Sequence, residues 1–196
     1  MVRQLVTVRD AVPDDAPALL VFWHDLSRRS HLEDPVGEAR AAIARAAADP
    51  DQRIVVLDRD HELVGAVHLR RTSFSPLTDE KVVNASHLQV LTGHRKHGLG
   101  HLLADAAVTW AEEKGISYVV GVSAVGARDA NRFLARLGLG QVAVFRGAAT
   151  TTLRTRLSVA AAARGRSGAG RRAGQVLATR RTLRRRHGVT DVVVED

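Results

Sequence analysis

A glycine-rich turn between a predicted strand and a predicted amphipathic helix constrains this chain more than any other stretch. The strand covers residues 87–91 and the helix residues 99–113, and the turn between them reads Arg95-Lys96-His97-Gly98-Leu99-Gly100. Without Cβ atoms, the two glycines let the backbone approach a bulky anion closely. The first N–H groups of a helix lack partners within it and lie at the positive end of its dipole. The turn therefore predicts a phosphate-binding loop, to which its arginine and lysine add charge.

Two common nucleotide-binding motifs do not fit this turn. The dinucleotide fingerprint needs a third glycine, and the P-loop needs Gly-Lys followed by Ser or Thr. The residues after Gly100 are His101-Leu102-Leu103, which satisfy neither pattern. Glycine-rich turns also occur in ordinary loops, so the surrounding sequence has to distinguish a phosphate-binding loop from an ordinary one.

The turn resembles the signature loop of the GNAT superfamily, the acetyl-CoA-dependent N-acetyltransferases. That loop reads Gln/Arg-x-x-Gly-x-Gly/Ala at a strand-to-helix junction, matched here by Arg95, Gly98 and Gly100. Residues 130–139, Ala-Asn-Arg-Phe-Leu-Ala-Arg-Leu-Gly-Leu, are similar to the second landmark of the superfamily, a helix of the form Ala-x-x-apolar-Tyr-x-x-x-Gly-Phe. Two motifs in the right order are more specific than either alone. The resemblance covers about residues 3–156.

The predicted order of elements agrees with that resemblance. Hydrophobic periodicity and turn signals predict strands at 6–9, 53–57, 63–69, 81–91, 116–122, 141–145 and 151–153, and helices from 14 to about 27 and at 38–48, 99–113 and 128–137. The two strands around the polar turn at 58–61 are expected to pair antiparallel. The resemblance implies an α/β (α+β) fold with a mixed, mostly antiparallel central sheet flanked by helices, whose splayed central strands hold acetyl-CoA.

Composition divides the chain into residues 1–156, the predicted acetyltransferase domain, and residues 157–196, a basic extension. The extension has nine arginines against three acidic residues, so it carries six of the eight net positive charges. Its Ala/Gly/Arg-rich part at 160–174 predicts a linker, and residues 175–186 predict a helix. Nucleic-acid binding by this basic tail is the less favoured interpretation, because the tail has no aromatic residue to stack on bases. The favoured one is an arm that packs on the domain or on the second subunit of a homodimer.

The chain has no cysteine and no long apolar stretch at its start. We therefore expect no disulfide, no secretion signal and no membrane contact, which makes the cytoplasm the predicted location. Three histidines lie near the turn, at 94, 97 and 101, but no carboxylate completes a metal-binding set, so we predict no metal. We expect these histidines to line the phosphate pocket instead.

The resemblance implies transfer of an acetyl group from acetyl-CoA to an amine by direct attack. It places the pantetheine arm against the strand that ends at the turn, with the N–H near Val90 stabilising the negative charge on the acetyl oxygen. It assigns binding of the pyrophosphate to the backbone amides of residues 95–100. The implied cofactor-binding residues are Leu88, Val90, Arg95, Lys96, His97, Gly98, Leu99, Gly100 and His101.

The candidate catalytic residues are Asn84, Ser86 and His87. Asn84 stands where histone-acetylating relatives have a glutamate; it cannot take up a proton, although it can hold a water. Strand alternation predicts Ser86 on the same face as Asn84 and His87 on the opposite face, and the ordinary pKa of histidine suits proton transfer near neutral pH. The family's proton-donating tyrosine is replaced by Leu134, so we expect weak activity.

The acceptor amine is open: a small molecule, a lysine and a protein N-terminus all fit. The resemblance places the acceptor wall between the first two helices, which brings in Trp23, His24, Asp25, His31, Glu33 and Asp34. The alternative function is a CoA-responsive binding or regulatory module with weak or no catalysis. Asn84 and Leu134 motivate it, and in it the basic tail contacts nucleic acid or a partner subunit.

Overall fold

The structure, a computed structural model, describes residues 5–24, 33–124, 126–162 and 164. The chain divides into two units, Met1–Gln141 and Val142–Asp196. The predicted extension at 157–196 lies mostly outside the described residues, so its linker, its helix and the boundary at 156 stay predictions. No helix within the described ranges is long and apolar enough to cross a membrane.

The first unit is built on a five-stranded sheet in the order β1-β2-β3-β4-β5. Its strands are β1 Val6–Asp10, β2 Gln52–Arg59, β3 Glu62–Ser73, β4 Lys81–Val90 and β5 Val119–Val122. The first four strands pair antiparallel, and β5 pairs parallel to β4. The predicted mixed, mostly antiparallel sheet is therefore confirmed.

The β2–β3 hairpin confirms the predicted antiparallel pair, with a tighter turn than expected. Arg59 pairs with Glu62, so Asp60 and His61 alone form the turn. Their φ values are 51° and 67°. Two left-handed residues in a two-residue loop match the twist of the flanking strands, and Asp and His adopt that conformation more readily than most side chains.

Helices flank both faces of the sheet. They are α1 Ala16–Phe22, α2 Pro35–Ala48, α3 Leu99–Glu113 and α4 Arg128–Arg136. The bounds of α3 are those predicted, whereas α2 begins three residues early because the Asp34 side chain accepts from the Gly37 N–H (2.9 Å) ahead of Pro35 at the first turn.

Two apolar clusters form the core, one on each face of the sheet. Under α3 the cluster contains Leu99, Leu103, Ala107, Trp110 and Ala111 with residues of β2, β3 and β4, whereas α1 and α2 pack Leu19, Phe22 and Ile43 on Val56, Leu63 and Ala66. Leu102 lies three residues after Leu99, at helical spacing, but is 37% exposed. Ala107 and Ala111 continue the buried stripe in its place.

The two last predicted strands, 141–145 and 151–153, are wrong. Residues 141–149 have no regular secondary structure and residues 150–162 are helical. Val142 and Val144 are 57% and 54% exposed, so no neighbouring strand covers the alternating pattern that suggested a strand. The β-branched threonines at 150–152 favoured a strand, but the alanines and arginines that follow them are strong helix formers.

An ion-pair network ties β1 to the turn before α1. The Arg9 guanidinium donates to both carboxylate oxygens of Asp15 (2.7 and 3.0 Å) and to Asp58 on β2 (2.9 Å). Burial of Asp15 would raise its pKa, but hydrogen bonds from Arg9 and from the Val12 N–H outweigh this and hold the pKa below its usual value. Asp15 is therefore ionised at neutral pH although it is buried.

We expect Arg9→Met to lower the free energy of unfolding at pH 7 by about 2 kcal/mol, because Asp15 loses its charge partner. The loss is smaller than for a fully buried ion pair, since the Arg9 side chain is 31% exposed. Since the folded-state pKa of Asp15 is depressed, its stabilisation is present above about pH 4 and is lost as the pH falls through the folded pKa. The difference between variant and wild type should therefore shrink on acidification.

Urea unfolding at pH 7 and pH 3 measures this difference. The matched control is Arg40→Met, because the Arg40–Asp14 pair is exposed on both sides and should contribute little. Equal stabilities of the Arg9 and Arg40 variants at pH 7 would contradict the assignment.

Candidate active site

The central strands β4 and β5 diverge before the glycine turn. Residues Val83–Ser86 pair with Val119–Val122, but β4 continues to Val90, and beyond Ser86 no described residue pairs with it on that side. The N–H of Leu91 donates to the Val64 carbonyl (3.0 Å), and successive amides of a strand point to alternate edges. The N–H of Val90 therefore points into the gap between β4 and β5. Its carbonyl accepts from Nε of Arg95 (3.2 Å).

A β-bulge interrupts β4 at the start of this gap. Ala66 pairs with Gln89 and His68 with Ser86, so two residues of β4, His87 and Leu88, lie opposite one residue of β3. His87 has φ 58°. The inserted residue shifts the alternation of side chains along the strand.

The bulge overturns the predicted placement of His87. Before it, Val83 and Ala85 face the core under α3, and after it Leu88 and Val90 do so. Ser86 and His87 consequently lie on the same face of the sheet, the one covered by α1. Simple alternation predicts opposite faces for these two side chains, because it holds only in a regular strand.

His87 is fixed by its neighbours on this face. Its Nδ1 lies 3.0 Å from the Ser86 hydroxyl, and its carbonyl accepts from the indole Nε1–H of Trp23 (2.9 Å), which follows α1. The two rings meet edge to face, with centroids 6.0 Å apart. His87 is exposed on one side, and the partial burial of its imidazole lowers its pKa below the usual histidine value. The imidazole is therefore neutral at pH 7 and able to accept a proton.

His68 on β3 belongs to the same cluster, although the sequence analysis did not single it out. Its Nδ1 is 3.3 Å from Ser86 Oγ, and its Nε2 is 3.4 Å from Oε1 of Gln52 on β2. Burial lowers the pKa of His68, and the charges of His87 and Arg70 add to the effect. The sequence signal for His68 is a single histidine within residues 63–69, which are otherwise apolar or glycine.

Asn84 lies two residues before Ser86, next to Arg70 on β3 and Val120 on β5. Its Oδ1 is buried and has no hydrogen-bond donor within the described ranges. A buried acceptor without a partner is unfavourable. The carbonyl is therefore available to an N–H or O–H donor that enters the site.

The glycine turn presents backbone donors at the start of α3. Gly98 has φ 78° and caps the helix, and a Cβ there would meet nothing within 4 Å. The N–H groups of residues 96–100 have no acceptor in the described part of the chain, whereas those of His101 and Leu102 donate to the Gly98 carbonyl. Several unpaired donors at the positive end of a helix suit a phosphate group.

Gly100 has a different reason to be glycine. A Cβ at this position would lie 3.1 Å from the ring of Phe133 on α4. The missing side chain lets α3 and α4 approach each other. Gly98 owes its identity to its left-handed φ and borders open space, and the close approach of an anion at both glycines stays a prediction.

The side chains around the turn are held to different degrees. The Arg95 guanidinium bonds the Val90 carbonyl and lies 3.9 Å from the Asp129 carboxylate, so it braces the turn against β4 and α4. Lys96 (φ 69°) and His97 are exposed, and Leu99 is buried in the core. His94 contacts Arg59 (3.0 Å), and His101 packs edge to face on Phe133. Over the described residues, no group of three or more His, Asp or Glu side chains could hold a metal.

The sequence model of the acetyltransferase (GNAT) family matches residues 19–139, which include the gap, the bulge and the turn. The chain belongs to the GNAT acetyltransferase family. The match ends where the regular structure of the first unit ends, before the two strands that were predicted and are absent.

Solved structures share the GNAT fold at low sequence identity, and no curated protein matches the chain. A transcriptional regulator from Bacillus halodurans C-125 is 21% identical with a TM-score of 0.65, covering 74% of this chain and 99% of its own. A predicted acetyltransferase from Clostridium acetobutylicum, solved with acetyl-CoA, is 14% identical (TM-score 0.58; 76% and 98%). A ribosomal-protein-alanine N-acetyltransferase from Brucella melitensis biovar Abortus 2308 is 18% identical (TM-score 0.54; 74% and 98%).

In this GNAT protein, the position of the family's tyrosine has a packing role. Leu134 on α4 contacts Gly121 on β5, where a Cβ would lie 3.1 Å from its side chain. Tyr118, the one tyrosine of the chain, precedes β5 and packs on Phe74 (5.6 Å between centroids). Because β5 runs parallel to β4, Tyr118 lies at the end of the strands away from the glycine turn.

The expected acceptor wall of the GNAT protein is described in part. Trp23 and His24 lie at the end of α1, and Trp23 contacts the bulge. Glu33 is exposed, and Asp34 caps α2. Asp25 and His31 lie outside the described residues. Of the described residues of this expected wall, Trp23 reaches the site, where its indole N–H donates to the His87 carbonyl.

Proposed function

We propose that this protein is an N-acetyltransferase that transfers an acetyl group from acetyl-CoA to an amine by direct attack. The observation that carries the proposal is the gap between β4 and β5, which opens onto a turn whose amides at residues 96–100 have no acceptor among the described residues. A long molecule with an amide-bearing arm and a diphosphate matches both features. Membership of the GNAT family and the acetyl-CoA in the Clostridium acetobutylicum structure support this donor.

The residues present fit acetyl-CoA. The amides of residues 96–100 would hold the diphosphate, with Lys96 and His97 adding exposed polar side chains. Backbone groups of Leu88 and Val90 would hold the pantetheine arm, and the N–H of Val90, which points into the gap, would stabilise negative charge on the acetyl oxygen. When bound, acetyl-CoA supplies an activated acetyl group on a thiolate that leaves.

His87 is the proposed general base. The acceptor amine must lose a proton, and a neutral imidazole beside the gap can take it up at Nε2, since Nδ1 faces Ser86. The unpaired Oδ1 of Asn84 would accept a hydrogen bond from the amine or from a water. Ser86 orients His87 through its hydroxyl. These roles for Asn84, Ser86 and His87 are proposals supported by their common face and their distances.

We propose that turnover is slow. Leu134 has no proton to give, and Tyr118 lies at the other end of the strands, so the thiolate leaves without a side-chain acid. A thiolate is an acceptable leaving group unaided, because the pKa of a thiol is about 8.5. Positioning of the amine and stabilisation of the acetyl oxygen would then supply most of the rate enhancement.

The acceptor of the proposed reaction is an amine, and a small molecule, a lysine and a protein N-terminus all stay open. We also propose a cytoplasmic location, a functional boundary near residue 156, and an arginine-rich tail that packs on the domain or on a second subunit.

Release of free CoA thiol from acetyl-CoA tests the function. With a panel of amines and peptides, the purified full chain should release thiol in proportion to acetylated product detected by mass spectrometry. Calorimetry with acetyl-CoA in parallel should show binding. If the chain binds acetyl-CoA but acetylates nothing across the panel, the CoA-responsive regulatory module replaces this proposal. If no acyl-CoA binds at millimolar concentration, both are excluded.

A further inference from the structure

Four polar side chains from three strands form a continuous hydrogen-bonded row on the α1 face of the sheet. From β2 to β4 the row is Gln52, His68, Ser86 and His87. Its three distances are 3.4 Å, 3.3 Å and 3.0 Å. Two of the four side chains, Gln52 and His68, lie outside the residues assigned to the reaction above.

The chemistry of the row fixes the direction of its hydrogen bonds. An amide oxygen only accepts, so His68 donates from Nε2 to Gln52 Oε1. A neutral imidazole carries one N–H, so Nδ1 of His68 is an acceptor, and it lies slightly nearer to the Ser86 hydroxyl (3.3 Å) than the His68 carbonyl does (3.4 Å). With either acceptor, the hydroxyl proton of Ser86 is directed to His68. The lone pair of Ser86 Oγ then accepts from Nδ1–H of His87. At the end of the row, Nε2 of His87 keeps its lone pair.

We propose that His68 is a positioning residue for acetyl transfer: through the Ser86 hydroxyl, it holds His87 as the Nδ1–H tautomer and leaves Nε2 to take up the proton of the amine. In that step an N–H bond of the amine breaks and an Nε2–H bond forms, and His87 becomes an imidazolium. No proton passes along the row. This inference rests on the proposed function, because it deepens the role given to His87.

A protonated His68 would weaken this arrangement. Its Nδ1 would then donate to Ser86 Oγ, and the hydroxyl would turn to the His68 carbonyl, 3.4 Å away. A positive charge beside His87 would also oppose its protonation. The charged groups that act on His68 are Arg70 on β3 and, when protonated, His87 on β4. The strand β2 contributes the uncharged Gln52 amide, and Trp23, which follows α1, contacts the carbonyl of His87. Burial and both charges lower the pKa of His68, which keeps it neutral at pH 7.

The kinetic test compares two substitutions at one position. His68→Leu removes the imidazole acceptor of the Ser86 hydroxyl and leaves it the backbone carbonyl of residue 68. We expect kcat to fall about tenfold, the effect of one neutral hydrogen bond, with KM for acetyl-CoA unchanged. His68→Asn keeps a side-chain oxygen near the position of Nδ1 and should recover most of kcat. The pH at which kcat/KM falls on the acid side should differ from the wild-type value in the Leu variant. In the Asn variant it should return to the wild-type value. If the wild type is active and both variants keep its kcat and its pH profile of kcat/KM, the inference is overturned. The proposed function would then still stand.

A second test needs no activity. Long-range ¹H–¹⁵N spectra distinguish the imidazole tautomers, and we expect Nδ1–H at His87 and Nε2–H at His68 in the folded wild type at pH 7. Ser86→Ala should return His87 to the Nε2–H form that free histidine favours. His87→Asn should raise the pKa of His68, because it removes a charge that lowers it. An Nε2–H form at His87 in the wild type overturns the inference, whether or not an acceptor has been found.

Discussion

Replacing His87 by asparagine is expected to lower kcat about 100-fold while acetyl-CoA binds as in the wild type. The estimate follows from the usual contribution of a general base. Asparagine is the informative replacement because His87 has φ 58°, and asparagine tolerates the left-handed conformation that most side chains do not. The bulge is therefore kept, and the group that accepts the proton is lost.

The pH dependence of kcat/KM should also differ between the wild type and the His87→Asn variant. Burial lowers the pKa of His87, so wild-type kcat/KM should fall only below the usual histidine pKa of about 6.5, where the imidazole becomes protonated and cannot act as a base. In the asparagine variant this acid limb should disappear. Steady-state kinetics between pH 5 and 8, as thiol release, measure both quantities.

The chain offers a matched control for this variant. His61 is also a histidine in the left-handed region (φ 67°), but it lies in the β2–β3 turn. His61→Asn makes the same chemical change outside the site and should leave kcat and the profile unchanged. If His87→Asn keeps more than half of the wild-type kcat with the acid limb intact, His87 is not the base.

Replacing Gly98 by valine is expected to weaken acetyl-CoA binding about 30-fold. At φ 78° any Cβ is strained by roughly 1–2 kcal/mol, and a β-branched side chain is strained further. No neighbouring atom within 4 Å would hinder the new Cβ, so the effect acts through the backbone. As the turn relaxes away from the left-handed conformation, the amides of residues 96–100 no longer converge on one anion.

Calorimetric titration with CoA and with acetyl-CoA measures this loss, and urea unfolding shows whether the variant remains folded. Gly98→Asn should lose less affinity, because asparagine adopts left-handed φ values more readily. Gly93→Ala is the control: it adds a Cβ in open space at a glycine whose φ lies outside the left-handed region. Wild-type affinity in a folded Gly98→Val variant would mean that the turn does not bind the diphosphate.

Features that depend on neighbouring residues were predictable from the sequence. Apolar periodicity and the glycines that flank it predicted α3 at its observed bounds, and a polar turn between two apolar runs predicted the β2–β3 hairpin. The order of helices and strands through α4 was also predictable, because each of them has its own hydrophobic periodicity in the sequence. The resemblance to the GNAT superfamily rested on two such local motifs, and the family match confirms it.

Features that depend on register were not predictable. No glycine or proline marks the bulge at His87, so simple alternation put its side chain on the wrong face. His68 joins Ser86 only through the pairing of β3 with β4, which a single sequence does not show. The strands expected at 141–145 and 151–153 failed for a related reason, since β-branched residues form a strand only where a neighbouring strand covers them.

The hydrogen bond from the Trp23 indole to the His87 carbonyl connects the expected acceptor wall to the proposed general base. A substitution in one therefore affects the other. Trp23 stands at the edge of the region expected to select the acceptor, and the carbonyl it holds belongs to the residue proposed to take up the proton. A substitution there that widens the entrance for a bulkier amine would also release the imidazole from its orientation. Attempts to redirect this enzyme to new amines should therefore begin elsewhere on the wall, or supply another donor to that carbonyl.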